Sequence, residues 1–378
     1  MKIVIAIDSF KGSLSSLEAA ESISRGVLAV DSCAEISICP LADGGEGTVA
    51  ALSAALGTSD VQLRVRDPLG RQINTSYAIT PDGKTAVMEM SACAGITLVS
   101  DGEKDPRITT TFGVGEMIND AIARGCEQII MGIGGSATND AGIGMLAALG
   151  FEFYDRNGAV IEPYGAVACG KVAKISGDQV PDAVRRCRFT IACDVNNPLC
   201  GDRGCSAVYG PQKGADAACV REMDEMLSSY ADAVKKFNPD SDRNASGAGA
   251  AGGLGFAFLS FLNSELVAGA ELVIRANRLE EKISECDVVV TGEGRIDFQS
   301  AMGKAPYTVA CLGKKYGKKV VAFCGAVGRE SLDSISSVFD GVFPIATAAM
   351  SLEDAMDITK ASKNLEFTAR QVFNLINS

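Results

Sequence analysis

At 378 residues, with 47% hydrophobic and 22% charged side chains, the chain is sized for two or three globular domains with a sizeable core. Its net charge of −12 disfavours non-specific binding to nucleic acid, whose phosphates attract Lys and Arg. No apolar run approaches the ~18 residues of a membrane span. Histidine is absent, which excludes a His base, a His metal ligand and a Ser-His-Asp triad. Proton transfer then falls to Asp, Glu, Lys, Tyr or Cys. The 13 Cys are scattered, odd in number and without a CxxC pair, as expected of reduced thiols in a cytoplasmic protein. With neither His nor paired Cys, an oxygen-preferring ion such as Mg2+ is the expected metal.

Residues 2–7 (KIVIAI) read as a strand ending at Asp8. A helix over about 17–30 follows, with Ser13 or Ser15 as its N-cap, then a strand over 35–39, the turn ADGGEGT, and a helix over about 48–56. This βαβα start predicts a doubly wound sheet. The period then changes: 61–66, 72–79 and 85–90, separated by the turns Asp67–Gly70 and Pro81–Lys84, predict an antiparallel meander. Next come a helix over about 114–124, a strand over 128–133, a glycine-rich turn, and a helix starting near Asp140. A strand over 187–193 and an amphipathic helix over about 216–237 precede a polar, then Gly/Ala-rich, ordered loop over 239–255. The end returns to βαβαβ, with strands over 288–290, 320–323 and 342–344 and a closing helix over about 364–376. The economical architecture is a discontinuous α/β domain, 1–60 and 286–378, carrying a mixed α/β insert, 61–285.

In an open α/β sheet, ligands bind beyond the carboxyl ends of the strands. Here strand after strand ends in glycine beside Asp, Glu, Lys or Ser: Asp8–Ser13, Asp43–Thr48, Gly134–Asp140, Asp194–Leu199 and Thr291–Asp297. Five such clusters on one edge exceed what turns alone require. Gly134–Asp140 suits a phosphate, through glycine N–H groups, the Ser136 and Thr138 hydroxyls and a following helix N-terminus. No Walker GxxxxGK[ST] sequence occurs, and no GxGxxG fingerprint is completed. The loop Gly247–Gly255, with Gly252 and Gly253, is a second candidate for close approach to a nucleotide or, equally, for packing.

Phosphoryl transfer requires cations, a carboxylate-held metal and an acceptor for a hydroxyl proton. Lys11, Lys213, Arg295 and Lys304 supply cations on this edge. Asp194, alone after a buried strand, is the favoured base, with Asp8, Asp43 and Asp297 as alternatives.

The motifs DSFKGS (8–13), ADGGEGT (42–48), GIGGSATND (132–140), CDVNNPL (193–199), GPQKGA (210–215), GAGAAGGLG (247–255) and TGEGRIDFQS (291–300), with Gly303-Lys304, are together similar to those of the bacterial glycerate kinase family. They occur in family order across nearly the whole chain. The resemblance implies ATP and Mg2+ as cofactors and D-glycerate as substrate, giving 2-phosphoglycerate in glyoxylate or sugar-acid catabolism. It implies two α/β domains, one a flavodoxin-like doubly wound parallel sheet and one a mixed-sheet, restriction-endonuclease-like domain. A homodimer is an expected assembly; nucleic acid and membrane are not expected partners. Some relatives have a basic residue at the position of Phe112, or His at that of Met302, so a contact made by either side chain is not essential here.

The physical argument distributes the roles. Asp194, Lys11 and Arg295 are the expected catalytic residues. Asp8, Ser9, Ser13, Asp43, Gly44, Gly45, Glu46, Gly134, Gly135, Ser136, Thr138, Asn139, Lys213, Gly252 and Gly253 are expected to bind substrate and phosphate, and Asp140, Glu293 and Asp297 the metal. Phosphorylation of the 3-hydroxyl, or of a related small hydroxy acid, is the nearest alternative. A dinucleotide-dependent dehydrogenase lacks its fingerprint, and a non-catalytic sensor would not need so many carboxylates and lysines on one edge.

Overall fold

The computed structural model describes residues 1–42, 47–297, 305–328 and 338–378. Asp43, Gly44, Gly45, Glu46, the segment 298–300 and Gly303-Lys304 lie outside the described residues. The chain forms two compact units, Met1–Leu56 with Gly269–Ser378, and Gly57–Ala268. Residues 269–285, read from sequence as part of the insert, belong to the outer unit. There the helix Gly269–Ala276 packs on the helix Thr48–Leu56, and the helix Leu279–Glu285 packs on the first strand.

The strands in chain order are β1 (Lys2–Ile5), β2 (Glu35–Ile38), β3 (Ser59–Arg66), β4 (Gln72–Ile79), β5 (Thr85–Glu89), β6 (Gln128–Gly132), β7 (Glu152–Tyr154), β8 (Lys174–Ser176), β9 (Arg188–Ala192), β10 (Ser264–Val267), β11 (Val288–Ile296), β12 (Lys319–Val327) and β13 (Gly341–Pro344).

In the outer unit the order is β2-β1-β11-β12-β13, all parallel. Counted along that unit, this is the flavodoxin-like order 2-1-3-4-5. Near-continuous apolar strands mark a sheet covered on both faces. Ile3, Ile5, Val288, Val290 and Phe323 share a core with Ile23 and Val27 of the helix Ser16–Leu28 and Leu365 and Phe373 of the helix Ile358–Asn377. The alternate residues Val289 and Val320 meet Gly313 of the helix Ala305–Lys315, where a Cβ would stand 2.5 Å from Val320 Cγ2. The helix Ser16–Leu28 starts at a capping box: Ser15 Oγ accepts from Glu18 N at 3.2 Å, and Glu18 Oε2 accepts from Ser15 N at 2.9 Å.

The other unit holds a mixed sheet, β10-β9-β6-β5-β4-β3, in which β10, β9, β6 and β5 run parallel and β4 and β3 form the antiparallel meander. The pair β7-β8 is separate. The long helix Ala217–Phe237 is capped by Asp216, whose Oδ1 accepts from Ala218 N and Cys219 N. It buries Cys219, Met223, Leu227, Tyr230 and Val234, a 3.6-residue stripe that is core, as its spacing predicts. Among the described residues no helix is long and apolar enough to cross a membrane.

Two segments differ from the sequence reading. Thr291–Ile296 is not a turn but the second half of β11, because β12 pairs with it residue for residue from Thr291↔Ala322 to Ile296↔Val327. And 250–261 is helical, interrupted at Ala251–Gly253 by three positive φ values.

Gly292 makes the long β11 possible. Its φ is +149°, and a Cβ there would lie 1.8 Å from the carbonyl oxygen of Phe323 on β12. Gly292→Ala should therefore lower stability by about 3 kcal/mol, read as a drop in the urea midpoint; a wild-type midpoint would show that the two strands can separate at no cost.

Candidate functional site

Four of the five glycine-and-carboxylate clusters lie wholly within the described residues, and they belong to two different sheets. Those at 8–13 and 291–297 belong to the outer unit, and those at 134–140 and 194–199 to the inserted one.

In the outer unit, winding reverses between β1 and β11, and such a switch point is where open sheets bind ligands. Strand pairing continues past β1: Ala6 N donates to Val290 O at 2.8 Å and Asp8 N to Gly292 O at 2.9 Å. Asp8 thus lies beside Gly292–Glu293. Both acids are nearly buried, at 3% and 7% exposure, although carboxylates seldom leave water without a task. Ser9 N donates to Asp8 Oδ1 at 2.7 Å, and the turn closes through Ser13 N to Phe10 O at 2.7 Å. Gly294 lets this turn rest on β11, since a Cβ there would sit 3.3 Å from Phe10 Cα and 3.4 Å from Lys11 N. Lys11 and Arg295 are exposed around the pair, and Arg295 Nε lies 3.6 Å from Asp297 Oδ2. Ser13 Oγ and Thr291 Oγ1 are buried without a partner. Burial, then the charge of Glu293, pushes the neighbouring Cys324 thiol up to about 12. The structure therefore groups Asp8, Ser9, Lys11, Ser13, Glu293, Arg295 and Asp297.

In the inserted unit, Gly132 of β6 pairs with Ala192 of β9, so Gly134 and the exposed Asp194 leave the same edge from neighbouring strands. The turn after β6 is pinned by Ile96 N to Gly135 O at 2.8 Å and Ala137 N to Ala94 O at 2.9 Å. Gly134 and Gly135 are exposed. Beneath them Lys213 is 5% exposed and donates from Nζ to Ser136 Oγ at 2.7 Å and to Thr138 O at 2.6 Å. Burial of its ammonium lowers Lys213 to about 8, the nearby Cys205 and Asp140 opposing the drop only in part. Asn139 is fully buried, donating to Ser206 Oγ at 2.9 Å, and holds the turn from inside. Thr138 Oγ1 and Asn139 Oδ1 are buried and unpartnered.

Two expectations change here. Asp140, expected to bind metal, is fully buried, and its carboxylate is filled from within. Oδ2 accepts from Thr111 N and Thr111 Oγ1, both at 2.8 Å, and from Gly144 N at 3.4 Å, while Oδ1 accepts from Gly142 N at 3.1 Å. It ties the start of the helix Phe112–Ala123 to that of the short helix Ile143–Ala148. The Gly142 and Gly144 amides at the following helix start, expected to face a phosphate, are thus turned toward Asp140. Burial nonetheless pushes the Asp140 carboxyl up, outweighing its four donors.

Gly252 and Gly253 are packing residues. A Cβ on Gly252 would stand 2.0 Å from Thr138 O, one on Gly253 2.8 Å from Ala141 Cα, and Ala141 N donates to Gly252 O at 2.9 Å. They buttress the turn and do not open toward solvent. Thr109 and Thr111 were missed by the sequence reading; the run Thr109-Thr110-Thr111 just before a helix was the available signal.

The structure thus shows an α/β protein with two buried acids at the switch point of one unit and, in the other, an open glycine turn backed by a buried lysine. The chain matches the family model described as the glycerate kinase family over residues 3–377. It is 43% identical over 372 residues to a glycerate kinase of Bacillus subtilis (strain 168), covering 98% of this chain and 97% of that one. It is 43% identical over 373 residues to a glycerate 2-kinase of Escherichia coli (strain K12), covering 97% and 98%. The crystal structure of a candidate glycerate kinase 2 from Salmonella typhimurium LT2 superposes with a TM-score of 0.90 at 40% identity, covering 100% of this chain and 98% of that one. The chain belongs to the glycerate kinase family and is a kinase.

The Asp140 geometry has a direct test. Asp140→Asn presents an NH2 group to donors and should cost about 3 kcal/mol, measured by urea unfolding. A stable variant with a raised Mg2+ requirement would return Asp140 to the metal.

Proposed function

We propose that the protein phosphorylates the 2-hydroxyl of D-glycerate with ATP, releasing ADP. The observation that carries this reading is the Asp8–Glu293 pair at the switch point, ringed by Lys11 and Arg295, in a chain of this family. Among the described residues no group of three or more acidic or thiol side chains converges to hold a metal alone. Two acidic residues on neighbouring backbone suit Mg2+, which is commonly bound by one or two carboxylates together with substrate phosphates. Asp8 and Glu293 would hold it, and bound there it would offset charge on the phosphoryl group being transferred.

The chain's own residues supply the rest. Lys11 and Arg295 attract the phosphates, and Asp297 steadies Arg295. The bond from the γ-phosphorus to the ADP oxygen breaks as the bond to the glycerate oxygen forms. With no histidine in the chain, a carboxylate is the natural acceptor for the hydroxyl proton. We assign this task to Asp194, an exposed carboxylate just beyond the end of β9.

With ATP, Mg2+ and D-glycerate, a coupled assay should record ADP release, and NMR should place the phosphoryl group on C2. A silent assay with D-glycerate, L-glycerate and tartronate alike would sink the proposal. Glu293→Gln and Asp194→Asn should each lower kcat about 100-fold or more with the fold intact. Wild-type kcat in either variant removes that residue from its role.

A further inference from the structure

The hydrogen bond between Lys213 and Ser136 has a directional consequence. An ammonium can only donate, so Ser136 Oγ must be the acceptor at 2.7 Å. The proton of Ser136 is thereby kept out of that bond, and no acceptor among the described residues takes it. The backbone on either side is fixed, by Gly135 O accepting from Ile96 N and by Ala137 N donating to Ala94 O. The hydroxyl therefore cannot swing away with its loop. Ser136 is partly exposed, and the space where a Cβ of Gly134 would stand is empty to 4 Å.

We propose that Lys213 locks Ser136 as an outward-facing donor, making the Gly134–Ser136 turn a subsite for an anionic oxygen of a substrate, either a carboxylate or a phosphoryl group. This rests on the kinase reading above. Lys213 acts through Ser136 and is a positioning residue; its buried charge adds attraction without contact. The Asp140 carboxylate faces inward, its oxygens taken by Thr111, Gly142 and Gly144, and so does not compete for the Ser136 proton.

The arrangement is sensitive to pH. Two titratable groups influence Lys213: Cys205, from the helix Cys205–Tyr209, and Asp140. Burial outweighs both and lowers Lys213 to about 8. Below that pH the ammonium donates and Ser136 points its proton outward. Above it a neutral amine can accept that proton, and the subsite loses both donor and charge. A bound anion raises the lysine's proton affinity, so affinity should fall only as pH climbs past the free enzyme's value.

Sulfate is a suitable probe, since its charge is constant over this range. By calorimetry, wild-type affinity for sulfate should fall about tenfold between about pH 7 and about pH 9.5. At about pH 7, Ser136→Ala should bind it about tenfold more weakly, and Ser136→Thr, which keeps the hydroxyl, should recover most of the loss. In turnover, Ser136→Ala should raise KM for D-glycerate or for ATP by more than it lowers kcat. An alanine variant equal to wild type in sulfate binding and in both KM values overturns the inference. Wild type that binds sulfate in this pattern but releases no ADP with glycerate overturns the kinase reading alone.

Discussion

A single carboxylate out of reach of water sets the inserted unit's edge. Asp140 draws two helix starts and its own turn onto one pair of oxygens. Such a charge is costly to bury unless every lone pair is met, and here four donors meet it. Removing any one leaves a buried carboxylate lone pair unmet, so the surrounding residues are held to narrow choices. Ala141 follows with a φ of 45°, unusual for a residue with a side chain, and Gly142 with 72°, which glycine adopts freely. Gly252 and Gly253 close against it from behind.

The outer unit solves a different problem. It must keep two acids, Asp8 and Glu293, side by side and nearly dry. The tool is a strand that does not stop where its sisters do: β11 runs on through Gly292 and Gly294, and β12 follows it. In an ordinary open sheet the switch point is a gap between diverging loops. Here it has a wall of paired backbone, which places the charged side chains more firmly than a loop could.

Much of this was legible. Apolar runs without alternation announced the parallel strands, and the change to period two announced the β3–β5 meander. Ser15, one of the two caps the sequence offers for the first helix, was legible because capping chemistry is local. What failed was chemistry that depends on a distant neighbour. TGEGRI looks like a turn because glycine usually breaks strands; only the approach of Phe323 makes glycine obligatory there. Asp140 looks like a ligand because exposed and internally satisfied carboxylates are identical letters. GAGAAGGLG looked equally suited to a nucleotide or to packing, and the deciding contact is with Thr138, far away in the chain. The cation Lys213 was found from sequence, but its burial under Ser136 was not.

The order of strands also bears on how the chain is made. β1 lies inside its sheet, yet its neighbour β11 is synthesised only after the whole inserted unit. On the ribosome the first α/β segment, with β1 covered only by β2 and its own helix, must wait for β11 while a complete second unit emerges. The insert can fold meanwhile, since its sheet and core draw on no residue outside 57–268. Its two ends leave from helices that touch each other, Thr48–Leu56 and Gly269–Ala276. Once folded, the insert thus acts as a clasp, shortening an otherwise enormous loop and returning the chain beside the strand that has been waiting for it.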